Sequence, residues 1–515
     1  MRLLFSPDDV RAMDRRAFAH GIDEAALMER AAGHLARGVL AEGGRAYGLR
    51  VAVLAGKGNN GGDGFAAAVR LAERGAHPVV CSVHEPDALT GLPAAMCARA
   101  RARGITVTTD VQRALAGAEV AVDCLLGTGA QGAPRSPEAD AIAALARTDA
   151  RVVACDAPSG VDARTGAALE PAVRADRTVT LGADKVGLWL PPARGLAGRV
   201  EVGDLGIVEP GDVPAARILE PADVARTLPE PSPTSHKRSR GVVTIVAGSP
   251  GMSGAAALAG WGAQALGAGL VQIATSASVR DVVAGLVPEA LTVALPNSAA
   301  EAAEVAAQTC VRSDALVIGP GLGDSDGARS LVRALLARVT LPTVLDADGL
   351  TAVADDPDRL RRAAPDPLVL TPHAGELARL TGVDDALGER LDLAPDRAER
   401  WDAVLVAKGP GTVVAGPDRR CWVTPTGGVE LATGGTGDVL AGMLAAGLAA
   451  RPLDAASTAD RAPAAAGPAA TAAAVTWLHG RAGELAAAAS HARSLTAGQV
   501  ASAVPTALTD LAGTR

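Results

Sequence analysis

Two glycine runs in this chain carry an aspartate: GKGNNGGDGF at 56–65, with Asp63, and TGGTGD at 433–438, with Asp438. In the first, the apolar run RVAVLA leads into five glycines and then a helical pattern, so backbone N–H groups and a helix N-terminus converge into a cradle for anions. Neither G-x-G-x-x-G nor the Walker spacing fits it. Two further strand-like runs end in polar loops, VAVDCLLGTGAQGAPR with Asp123 and VVACDAPSGVD with Asp156 and Ser159. The carboxyl ends of parallel strands gather at one edge of an open sheet, so Asn60, Asp123, Asp156 and Ser159 are expected to meet there. Oxygen ligands of this kind suit a hard cation, and a free carboxylate beside them suits proton transfer. In the second run, loop N–H groups can hold charge developing on a phosphoryl group while Asp438 takes a proton from an attacking hydroxyl. Upstream, VLVAKGPGTVV sets Lys408 before a turn suited to nucleotide phosphates, and LTPHAGELARL offers His373 and Glu376 at a strand end.

Lysine scarcity points to the same segments. Of 49 Lys+Arg residues only Lys57, Lys185, Lys237 and Lys408 are lysine, and Asn is confined to Asn59, Asn60 and Asn297, the signature of a GC-rich coding sequence. A lysine that persists under that pressure marks a place where a compact ammonium fits and a planar guanidinium does not.

The elements that must position these residues alternate. Residues 5–42 read as helical with caps near Ser6 and Asp23. Strand-like runs follow at 50–56, 78–84, 119–127, 151–160 and 177–183, separated by apolar helical stretches, and a second series runs from GVVTIVAGS to TVVAGP. Alternation of this kind predicts parallel sheets covered on both faces. At 515 residues more than one domain is required. The boundaries expected are 1–212, a proline-rich linker over 213–240, and 241–515, with an Ala/Pro-rich surface insertion at 451–470.

Composition narrows the function. A net charge of −8 and few aromatic residues argue against nucleic acid as a partner. Six cysteines without CxxC pairing argue against zinc or a disulfide framework, and the N-terminus lacks a signal-peptide pattern, so a cytoplasmic protein is expected. The uncharged stretch 252–279 is too poor in large apolar side chains to span a membrane.

GKGNNGGDG, GTGAQGAPR, DAPSGVDARTG and ADRTVTLGADKVGLWLPPARG, in that order over residues 5–210, resemble the NAD(P)H-hydrate epimerase family, the YjeF N-terminal type. The resemblance implies a Rossmann-like three-layer α/β/α sandwich. It implies substrate contacts from Asn59, Asn60, Gly61, Gly62 and Asp63 and from the loop Gly127, Thr128, Gly129, Ala130, Gln131, Gly132 and Ala133. It makes Asp156 the acid/base at C6 of the hydrated nicotinamide and gives a potassium ion to Asn60, Asp123 and Ser159. HKRSRG, GPGLG, DADGL, TPHAGEL, KGPGT and TGGTGD, from about residue 220 to 511, are similar to the NAD(P)H-hydrate dehydratase family, whose fold is the ribokinase-like α/β/α type. That resemblance implies ADP contacts from Lys408, Gly409, Pro410, Gly411, Thr412 and Gly437, substrate contacts from Ala255, Gly321, Gly323, His373 and Asp438, and magnesium with the nucleotide. Gly349 replaces a frequent alanine, and CWVTPTGGVELATGG departs from the family's usual lead into the loop.

The combined expectation is a bifunctional repair enzyme, acting on small-molecule substrates without nucleic acid or membrane and expected to be a homo-oligomer. It would epimerise R- and S-NAD(P)HX and dehydrate the S form at the expense of ADP, with Asp156 and Asp438 catalytic. The competing readings are a kinase for a small vitamin-precursor alcohol, which shares the second fold, and an RNA-processing scaffold, which the acidic charge disfavours.

Overall fold

The computed structural model describes residues 1–513 apart from 131, 229, 232, 361–366, 387 and 451–466. It divides into two compact units, Leu3–Ala216 and Met1–Arg2 with Arg217–Arg515.

In the N-terminal unit, α1 (Pro7–Ala19) is opened by a reciprocal cap in which Ser6 and Asp9 each accept the other's backbone N–H. Next come α2 (Glu24–Gly43) and seven parallel strands: β1 (Arg50–Ala55), β2 (His77–Ser82), β3 (Thr106–Thr108), β4 (Val120–Cys124), β5 (Arg151–Cys155), β6 (Arg177–Leu181) and β7 (Arg199–Gly203). Their order is β3-β2-β1-β4-β5-β6-β7. The order reverses between β1 and β4, which pair from Val51↔Val120 to Ala55↔Cys124, and a crevice opens at their carboxyl ends. Into it leads α3 (Asn59–Ala72), so the NNGGD run is a first helical turn rather than a loop. Leu35, Val53, Phe65, Val122 and Val153 are fully buried between sheet and helices. At roughly 1.5–3 kcal/mol for each large apolar side chain, this burial holds the crevice's rim in place.

The C-terminal unit uses what composition marks as a linker. Ala216–Ile218 forms β8, parallel to the strand carrying Trp422, and α4 (Pro221–Thr227) buries Val224 in the core. The repeated prolines obscured this element because Pro221 sits at the helix start, where a missing N–H costs nothing. The strands that follow are β9 (Val242–Val246), β10 (Leu270–Ser276), β11 (Leu291–Leu295), β12 (Ala315–Ile318), β13 (Thr343–Leu345), β14 (Leu368–Leu370), β15 (Val404–Ala407), β16 (Val413–Ala415) and β17 (Cys421–Val423). The order β11-β10-β9-β12-β13-β14-β15-β16-β17-β8 is parallel through β15; β15–β16 and β16–β17 are antiparallel.

The uncharged stretch 252–279 resolves into α5 (Ser253–Ala265) and β10. Its small residues let α5 meet α8 (Thr436–Ala449) backbone to backbone: a Cβ on Gly442 would lie 1.9 Å from the Ala259 carbonyl oxygen. No helix among the described residues is long and apolar enough to cross a membrane. Of the Ala/Pro-rich insertion, 451–466 lies outside the described residues, while Pro468–Ala470 already belongs to α9 (Pro468–Ala489), with Ala470 buried.

Two candidate active sites

In the N-terminal unit the crevice is a cavity of about 560 Å³ lined by residues of α1, α2, the start of α3, the loop after β4, and Asp156 and Lys185. Backbone contact sets its floor: a Cβ on Gly61 would lie 2.0 Å from the Gly56 carbonyl oxygen, so only glycine lets α3 start this close to β1. Asp156 follows β5 with φ of 66°, a left-handed conformation that costs a non-glycine residue about 1–3 kcal/mol. Its N–H donates to the Val179 carbonyl (2.8 Å), and its Oδ1 accepts from the Leu181 N–H (3.1 Å) and the Lys185 ammonium (2.5 Å). Lys185 is 1% exposed and also donates to the Leu181 carbonyl at 2.6 Å. Facing this pair are two more carboxyls. Burial raises Asp63 well above the usual carboxylate range, with Asp156 adding to the rise, and burial also raises the half-buried Asp14, against the pull of Lys185.

Beneath the cavity Asp123 is fully buried. It accepts the Ser159 hydroxyl (2.6 Å), the Ser159 N–H (2.7 Å) and the Leu125 N–H (3.2 Å). Burial pushes its carboxyl up to about 6 despite these bonds. Asn60 donates to the Leu126 carbonyl (3.0 Å), and the Leu126 N–H donates to the Ser159 hydroxyl (2.9 Å). Asn60, Asp123 and Ser159 thus converge on the backbone of 125–126.

Asn59, Asn60, Asp63, Gly127, Thr128, Gly129, Ala130 and Asp156 line the cavity; Gly61, Gly62, Gly132 and Ala133 do not, and Gln131 lies outside the described residues. Gly61 and Gly62 act through packing beneath it.

In the C-terminal unit Asp438 sits in the first turn of α8, after Gly435 with φ of 92°. Burial pushes its carboxyl up to about 7, with Asp346 adding to the rise and Lys408 opposing it. Lys408, at the end of β15, donates to Asp346 Oδ1 at 2.7 Å, and that oxygen also accepts the Thr371 hydroxyl at 2.7 Å. Burial alone would lower the Lys408 ammonium, but Asp346 and Glu376 outweigh it and hold it above its ordinary value. A Cβ on Gly437 would lie 3.3 Å from Lys408 Nζ, which brings the helix start against this pair.

The GPGLG loop joins from the other side. Gly323 N–H donates to Asp348 at 2.7 Å, and Gly321 packs on Ala255. Ala347, between the two aspartates, has φ of 50°, and its turn sends Asp346 to Lys408 and Asp348 to Gly323. The KGPGT turn is braced by the Thr412 hydroxyl on the Gly409 carbonyl (2.9 Å) and by Arg390, from α7 (Arg390–Trp401), on the Pro410 carbonyl (2.6 Å). His373 caps α6 (Ala374–Thr381), its Nδ1 accepting from Gly375 and Glu376, with the side chain 61% exposed.

Comparison with known proteins agrees with this division. Residues 24–187 match the family model described as YjeF-related protein N-terminus, and residues 243–506 match that described as NAD(P)H-hydrate dehydratase. The bifunctional NAD(P)H-hydrate repair enzyme Nnr of Moorella thermoacetica is 37% identical over 482 residues, 90% of this chain and 88% of that protein. The protein of the same name from Salinibacter ruber is 38% identical over 489 residues, 87% of this chain and 89% of that one. The chain belongs to the bifunctional NAD(P)H-hydrate repair enzyme family. The chain is also similar to a solved structure, the ADP/ATP-dependent NAD(P)H-hydrate dehydratase of Bacillus subtilis co-crystallised with ATP and Mg2+. That match is 32% identical, covers 57% of this chain and 99% of the other, and has a TM-score of 0.49.

Sequence reasoning passed over several residues that this repair-enzyme chain gathers at the two sites. Lys185 stood out by scarcity, but nothing in its motif told which carboxylate it meets. Asp14 lies on an ordinary amphipathic helix and carries no local signal. Asp346 and Asp348 sit at a strand's carboxyl end in DADGL, a position from which their place in the cleft was inferable.

Proposed function

We propose that this chain repairs hydrated nicotinamide nucleotides in two steps, interconverting R- and S-NAD(P)HX in the N-terminal unit and dehydrating S-NAD(P)HX with ADP in the C-terminal unit. One observation carries it: a relative named as a bifunctional NAD(P)H-hydrate repair enzyme matches 90% of the chain, and the reading is supported by a carboxylate bonded to a lysine in each unit, Asp156 to Lys185 and Asp346 to Lys408.

In the first step the cavity takes the dinucleotide, with Asn59, Asn60, Asp63 and the 127–130 loop against it and the start of α3 offering N–H groups to phosphate. Asp156 takes the C6 hydroxyl proton as the C6–N1 bond opens with its electron pair on N1, and returns it when N1 closes on the other face of the resulting aldehyde. Asn60, Asp123 and Ser159 fit a potassium ion: they offer oxygens around a buried carboxylate whose ionised form a cation would favour. Such an ion would brace the loop after β4.

In the second step Asp438 takes the proton of the ring hydroxyl, whose oxygen attacks the terminal phosphoryl group of ADP and releases AMP. The phosphate ester then leaves with the C6–O bonding pair, a proton is lost from the neighbouring carbon, and the double bond returns. A phosphate ester is a far better leaving group than hydroxide. A carboxyl at about 7 is matched to accepting a proton near neutrality. Lys408, Gly409–Thr412 and Gly437 hold the nucleotide, while Ala255, Gly321, Gly323 and His373 hold the substrate. Magnesium, held by carboxylates and phosphates, would neutralise charge on the transferring group.

The test is incubation of the full chain with chemically hydrated NADH. With ADP present, NADH absorbance returns from both epimers; Asp156→Asn slows recovery from the R epimer to the spontaneous epimerisation rate and Asp438→Asn abolishes recovery altogether. Recovery that is independent of ADP overturns the reading.

A further inference from the structure

Lys185 has no part in the chemistry assigned above, yet it is among the largest fully buried side chains of the molecule and it lines the N-terminal cavity. Its backbone is set by parallel pairing of Leu4 and Phe5 with Asp184 and Lys185. Its ammonium is held by the Leu181 carbonyl at 2.6 Å. Asp156 meets this anchored cation with one oxygen only. Oδ1 receives both the Lys185 ammonium and the Leu181 N–H, whereas no hydrogen bond from a described residue reaches Oδ2.

We propose that Lys185 is a positioning residue of the epimerase reaction, clamping Asp156 by Oδ1 so that Oδ2 is the oxygen presented to the substrate's C6 hydroxyl. The inference rests on the acid–base reading of Asp156 and deepens it by naming the reacting atom and what aims it. Two fixed bonds on Oδ1 stop rotation of the carboxylate about its Cβ–Cγ bond, and aim matters because a displacement of about 1 Å at a reacting group can cost roughly 10²-fold in rate. A lysine is required. Its single nitrogen serves two oxygens 2.5 and 2.6 Å away on a side chain that is otherwise buried, where a planar guanidinium would spread its donors beyond them. This also accounts for a lysine at 185 in a chain that has exchanged nearly all others for arginine.

The test measures epimerisation of R- to S-NADHX by the full chain. Lys185→Met conserves volume and removes the clamp. It is expected to lower kcat by about 10²-fold or more while KM stays within about threefold, and Lys185→Arg should not restore the rate. Lys185→Ala supplied with n-propylammonium is expected to regain at least about tenfold of its lost kcat, a recovery that a misfolded unit would not show. Near-wild-type kcat in Lys185→Met, a parallel rise of KM that accounts for the loss, or no response to propylammonium overturns the proposal. Asp156→Asn is assayed alongside. If it retains epimerisation, the acid–base reading itself fails; if it is inactive while Lys185→Met is not, only the clamp fails.

Discussion

The two sites use the same parts and wire them differently. Each has a glycine-rich helix start, a carboxylate proposed for proton transfer, a buried or half-buried lysine and a non-glycine residue at positive φ. In the N-terminal unit the lysine bonds the proposed acid/base itself, Lys185 to Asp156. In the C-terminal unit the lysine is taken by a different carboxylate, Asp346, and Asp438 is left among Asp346, Asp348 and Glu376 with its carboxyl at about 7. The strained residue differs in the same sense, being the proposed acid/base at 156 and the residue between two aspartates at 347. A direct bond aims an oxygen. An indirect one leaves the carboxylate to be tuned by its neighbours, which suits a base that must be re-formed each turnover near neutral pH.

The largest expected effect that would test this difference comes from cutting the supporting pair. Lys408→Met leaves Asp346, 1% exposed, without its cation, and removing one member of a buried pair costs about 3–5 kcal/mol. Urea unfolding of the C-terminal unit should show that loss, and adding Asp346→Asn to Lys408→Met should recover part of it. Additive losses would mean that the pair is not coupled.

The next effect is in pH dependence. Asp438 must be ionised to accept a proton, so kcat for ADP-dependent dehydration should fall about tenfold per unit as pH drops below about 7. Asp346 raises Asp438, and freeing Lys408 lowers it, so Asp346→Asn should move this limb to lower pH. A limb unmoved in Asp346→Asn would show that the neighbouring carboxylates do not set Asp438.

The smallest effect separates a close backbone contact from a close side-chain contact. At Gly437 an added methyl meets side-chain atoms only, Lys408 Nζ at 3.3 Å and Asp346 Oδ2 at 4.0 Å, so Gly437→Ala should raise the KM for ADP a few-fold with a stability loss of no more than about 1 kcal/mol. A loss of several kcal/mol would instead place Gly437, like Gly61, against rigid backbone.

By itself the sequence determined the elements and the chemistry available. Periodicity marked the strands that became β1, β2, β4, β5 and β6 and most of the second sheet, because buried parallel strands are continuous apolar runs and each glycine-rich turn falls at a strand's carboxyl end. It missed β3, β8, β11 and β17, three of them only three residues long and the fourth, β11, largely exposed, so that none reads as a buried apolar run. Asp156, Asp438 and Lys408 were legible as candidates because their motifs are local. Their partners were not. Lys185 meets Asp156 across 29 residues and Lys408 meets Asp346 across 62, contacts made only when the sheets close. Which carboxylate receives which lysine depends on burial and distance, quantities a one-dimensional pattern does not carry, and that choice separates an aimed oxygen from a tuned one.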